Sequence, residues 1–124
     1  MFYNLSMDKL IERYKSFLDK GKTERECVKE VIEIAEKEGY KNLDSVSTLS
    51  PGDKVYVTEY GKAIALYHIG KGDMEKGMNV LGAHIDSPRL DIKMKPLYES
   101  DGLVYLDTHY YGGIKKYQWV THPL

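Results

Sequence analysis

The sequence predicts an α/β chain: two amphipathic helices followed by about five strands. Three observations carry that prediction. Apolar residues recur at helical spacing over residues 10–35. A Thr–Glu capping pair marks where the second of these helical runs begins. Beyond residue 54 the texture changes to short apolar or alternating runs separated by turn residues.

Ser6 caps the first helix, along which Leu10, Ile11, Tyr14, Phe17 and Leu18 form one stripe, and Gly21 stops it. In "TERE", Thr23 and Glu26 form a capping box that opens the second helix. Val28, Val31, Ile32 and Ala35 are its apolar stripe, Cys27 sits beside them as a small buried hydrophobe, and Gly39 ends the run. Both stripes read as core-facing scaffold. "NLDSVSTLSPGDK" is a loop with a Pro-Gly turn. "VYVTEYGKAIALYHI" gives two strands around a turn near Glu59–Lys62, the second apolar enough to be buried. "GKGDMEKG" is a charged surface loop, and no helix follows its GxG, so it is no phosphate cradle. "MNVLGAHI" reads as a short strand ending at His84. "RLDIKM" and "LVYLDTHYY" are further strands, with Pro88 and Pro96 at their edges, where a missing amide proton is tolerated.

The 124 residues suit one domain and bury roughly two-thirds of their unfolded surface if compact. A net charge of −1 with interspersed signs offers no basic stripe for nucleic acid and no polybasic arm for membrane. No apolar run approaches the roughly 20 residues a membrane span needs, and the N-terminus lacks a secretory h-region. A single cysteine cannot form an internal disulfide. A cytoplasmic location is the expectation.

"GAHIDSPRLDIK" carries the chemistry. A strand projects residues i and i+2 to one side, so His84 and Asp86 can face one site. The Asp carboxylate then accepts one imidazole N–H and leaves the other nitrogen to bind a cation. By composition about 0.3 HxD matches arise by chance in such a chain, so the spacing alone is weak. A structural His–Asp hydrogen bond is the alternative, and a catalytic zinc wants three protein ligands. His68, His109 and His122 lie near separate strands, with no spacing that demands convergence.

The longer string decides more. "GAHIDSPRLDIKMKPLYE" followed by "THYYGGIKKYQW" closely resembles the N-terminal part of the M18 family of zinc aminopeptidases, the aspartyl aminopeptidase and aminopeptidase I group. The resemblance runs over essentially residues 1–124, which it identifies as the N-terminal part of a zinc-peptidase catalytic domain. It implies that His84 ligates one zinc of a two-zinc (Zn2+) site, and that Asp86 is its active-site partner. It also implies peptide substrates that lose their N-terminal residue, and assembly as a homo-oligomer. The "IKKYQW" form leans toward the branch that prefers neutral or apolar N-terminal residues.

The family's remaining ligands and its glutamate base lie downstream of these residues, so the chain by itself is expected to be inactive. Where the family carries an aliphatic residue before Pro123, this chain has His122, and the apolar tail stops in mid-pattern. A frameshift, a truncated gene or a trimmed sequence is one expectation here, and ordinary drift is an equal one.

Two further residues are weaker candidates for substrate binding. His109 either lines the site or packs at a strand end, and Arg89 either meets a substrate carboxylate or forms a surface ion pair. Gly112 and Gly113 more readily serve a tight turn than a ligand. Two other functions compete with catalysis: a non-catalytic fragment docking on a full-length enzyme, and a small metal-binding module built from His84, Asp86 and His109.

Overall fold

The computed structural model describes residues 6–123 and divides them into two compact units, with the boundary between Asp86 and Ser87. Residues 1–5 and Leu124 of the apolar tail lie outside the described residues.

In the first unit, helix α1 (Met7–Lys20) follows Ser6 and ends at Gly21, whose amide donates to the Phe17 carbonyl. Ser6 sits at the N-cap position, although its side chain makes no capping hydrogen bond. Helix α2 (Glu24–Lys37) begins with the expected capping box. The Glu26 amide donates to Thr23 Oγ1, and the Thr23 amide donates to Glu26 Oε2 at 2.8 Å. Gly39 takes φ +87° just past the end of α2, a left-handed conformation that glycine adopts without strain.

A three-stranded sheet follows, in the order β1 (Lys41–Asn42), β2 (Lys54–Glu59), β3 (Ala63–His68). β1 runs parallel to β2, and β2 and β3 form an antiparallel hairpin through Tyr60-Gly61-Lys62. Val55 and Tyr56 on the central strand are buried, together with Cys27, Val28 and Ala35 of α2, and these residues make the core of the unit. Tyr56 and Leu66 stand opposite one another in register, and the Tyr56 hydroxyl donates to Glu36 of α2 at 2.8 Å.

Three expectations are corrected here. The α1 stripe is not core-facing: Leu10, Ile11, Tyr14 and Leu18 are exposed and only Phe17 is half-buried, the helix packing chiefly against α2. β3 is not buried either. It is an edge strand, with only Ile64 and Ala65 half-buried. "MNVLGAHI" forms no strand, since a strand exists through its ladder and no described segment pairs with residues 78–85. Leu81 in that stretch is fully exposed.

The second unit is an antiparallel ribbon of β4 (Arg89–Ser100) and β5 (Leu103–Tyr111), closed by a two-residue turn. Asp101 (φ +55°) and Gly102 (φ +76°) supply the paired left-handed residues of a tight hairpin. Between Ile92 and Leu97 the register slips, leaving residues 93–96 opposite Asp107 alone. Pro96 is therefore inside β4 rather than at its edge, in a bulge where the ladder needs no amide proton. Lys93 reaches across this irregularity to Asp107 Oδ2 at 2.8 Å. A single turn of helix, α3 (Lys116–Trp119), follows Gly112, whose φ of +76° makes the expected tight turn. None of the described residues of this unit is fully buried.

Candidate metal-binding segment

His84, Ile85 and Asp86 lie at the end of the first unit. Asp86 Oδ1 is 3.0 Å from His84 Nδ1, and the Asp86 backbone oxygen is 3.1 Å from the same nitrogen. Both oxygens can only accept, so Nδ1 must carry the proton, and the neutral ring keeps its lone pair on Nε2. The imidazole is 84 % exposed and the Asp86 side chain 40 % exposed, so the ring stands open to solvent above a carboxylate that is more enclosed. The i, i+2 relation read from the sequence is thus realised as a direct contact between the side chains, without a strand ladder to impose it.

Behind this pair the backbone is held from α2. Cys27 Sγ lies 3.5 Å from the Ile85 carbonyl oxygen and 3.4 Å from that of Gly21. Gly21 is buried, and a Cβ placed there would stand 2.7 Å from the same sulfur. Burial pushes the Cys27 thiol above its ordinary pKa, and the Glu26 and Glu24 carboxylates add to the shift, so the sulfur stays protonated and able to donate. The sequence placed Cys27 in the core but gave no sign of this contact. Residues 27 and 85 are linked only through the tertiary fold.

The weaker candidates belong to the second unit. Arg89 donates through Nε to both Asp91 carboxylate oxygens, at 3.0 and 3.2 Å, and its guanidinium lies 4.5 Å from the Tyr111 ring centre. The ion-pair alternative for Arg89 is therefore realised. His109 stands opposite Asp91 in register and stacks on Tyr110, with ring centres 5.9 Å apart.

Among the described residues no group of three or more His, Cys, Asp or Glu side chains is arranged to hold a metal ion. A histidine whose second nitrogen is tied to a carboxylate is the usual form of a zinc-ligating imidazole. The pair therefore fits one corner of a zinc site and falls short of the three protein ligands a catalytic zinc requires.

The family model for aminopeptidase I zinc metalloproteases (M18) matches residues 17–124. A probable M18 family aminopeptidase 1 of Clostridium acetobutylicum is 56% identical over 117 residues, covering 91% of this chain and 25% of that protein. The crystal structure of aminopeptidase I from Borrelia burgdorferi superposes with a TM-score of 0.78 at 39% identity, over 98% of this chain and 31% of that one. An M18 aminopeptidase from Thermotoga maritima gives a TM-score of 0.76, also at 39% identity, over 94% of this chain and 26% of its own. The chain spans about a quarter of the length of the curated relatives it matches.

Proposed function

Because the chain belongs to the M18 family of aminopeptidase I zinc metalloproteases, we propose that it supplies the first metal ligand of a metal-dependent aminopeptidase. His84 is that ligand through Nε2, and Asp86 is its partner. The observation that carries this reading is the 3.0 Å contact between His84 Nδ1 and Asp86 Oδ1. Asp86 fixes the tautomer, aims the ring, and raises the basicity of the nitrogen left for the metal. Zinc bound in such a site polarises a scissile carbonyl and acidifies a water molecule. The substrates are peptides that lose their N-terminal residue, two zinc ions share the completed site, and the working form is a cytoplasmic homo-oligomer. Among the described residues, no helix is long and apolar enough to cross a membrane.

The test joins this chain to the remaining three-quarters of the Clostridium relative, in place of the matching segment, and measures release of N-terminal residues from short peptides. Zinc-dependent turnover that is lost in His84→Ala supports the assignment. Equal turnover by His84→Ala removes it.

A second reading, association without catalysis, draws on the absence of a buried residue among the described residues of the second unit and on the full exposure of Leu81. Surfaces of this kind favour partner binding. A solution mass that stays monomeric across the accessible concentration range counts against it.

A further inference from the structure

We infer that Cys27 is a positioning residue for the His84–Asp86 pair, acting through the Ile85 carbonyl that its thiol reaches at 3.5 Å. The inference rests on the reading of His84 as a ligand, but its test needs no metal.

Residues 78–85 lie outside any strand, and no described backbone–backbone hydrogen bond ties them to the rest of the first unit. Such a stretch samples many conformations unless side chains restrain it, and a ligand must be held to within about half an ångström to be useful. Cys27 is 4% exposed and sits on a helix fixed at its start by the Thr23–Glu26 capping box, so it makes a rigid anchor. Ile85 lies between the two functional residues, and pinning its carbonyl limits rotation of the peptide plane that leads into Asp86, whose oxygens hold the His84 ring.

Gly21 completes the joint. Its missing Cβ leaves the space in which the sulfur sits, and its own carbonyl shares the thiol's single proton. An alanine at position 21 would press on the sulfur at 2.7 Å and disturb the contact with Ile85 from the opposite side. Two residues that the helical pattern reads as a helix stop and a core filler therefore act together on a segment far along the chain.

The experiment is nitrogen-15 NMR of the His84 imidazole in the 124-residue chain without metal, for the wild type, Cys27→Ala, Cys27→Ser and Gly21→Ala/Cys27→Ala, with helix content followed by circular dichroism. The wild type is expected to show the Nδ1–H tautomer. Cys27→Ala and the double variant should keep their helices yet revert toward the mixed tautomers of a free imidazole. Cys27→Ser, which retains a donor, should hold more of the Nδ1–H form than Cys27→Ala. An unchanged Nδ1–H signal in Cys27→Ala overturns the inference. So does a tautomer loss that only follows loss of helix in every variant, since Cys27 would then be a packing residue alone. Failure of the ligand assignment appears separately, as turnover indifferent to His84→Ala in the joined enzyme.

Discussion

Asp86 Oδ1 stands 3.0 Å from His84 Nδ1, and the Asp86 main-chain oxygen approaches the same nitrogen at 3.1 Å. One residue thus offers two acceptors to a single N–H. The tautomer is set by acceptors two residues along the chain, for as long as the backbone between them is held in place. Removing the carboxylate charge while keeping an acceptor, as in Asp86→Asn, should weaken zinc binding by about 10–100-fold in the joined enzyme. Zinc competition with a chelator measures this. Unchanged affinity would show that the carboxylate does not tune the ring.

The 124 residues alone should show no appreciable aminopeptidase turnover, because one histidine cannot hold a catalytic zinc. The assay compares the purified chain with and without added zinc. Zinc-dependent release of N-terminal residues that disappears in His84→Ala would contradict the prediction.

The capping box at the start of α2 also anchors the helix that carries Cys27. Thr23 Oγ1 accepts the Glu26 amide at 3.3 Å, and replacing Thr23 by Ala removes that acceptor. The expected cost is about 1 kcal/mol of folding stability. Chemical denaturation of the wild type and Thr23→Ala reads it as a lower midpoint with the slope unchanged.

Tyr56 predicts an alkaline limit to the first unit. Its hydrogen bond to Glu36, then burial, then the Glu36 charge raise its pKa above the ordinary 10.0. The folded state therefore holds the phenolic proton more tightly than the unfolded chain does. That contribution is complete below pH 10.0 and declines as the pH rises through the higher folded value. Thermal melts across this range should fall more steeply for the wild type than for Tyr56→Phe. Parallel curves would show that the pair contributes nothing to the pH dependence.

Local signals made most of the fold legible. The Thr23–Glu26 box, the glycine turn after Tyr60 and the alternation in "LVYLDTHYY" each depend on neighbours a few residues apart, and each element formed where its pattern lay. The stripe of α1, the edge strand β3 and the run before His84 share a different cause. Apolar patterning says which face seeks cover, but not whether a covering element is present, and among the described residues these faces are left open. Pro96 lies in a bulge, and a bulge is a property of two strands in register, which one strand's sequence does not reveal. In the candidate site, the His84–Asp86 contact was legible because it spans two positions. The hold of Cys27 on Ile85 was not, since it joins residues that only the tertiary fold brings together.

The most direct test of His84 as a ligand is anomalous diffraction at the zinc edge, from crystals of this chain joined to the rest of the Clostridium relative. A zinc peak is expected about 2.0–2.1 Å from His84 Nε2, with Nδ1 still on Asp86. A zinc peak bound by other residues, with the His84 ring turned away from it, would rule out His84 as the ligand.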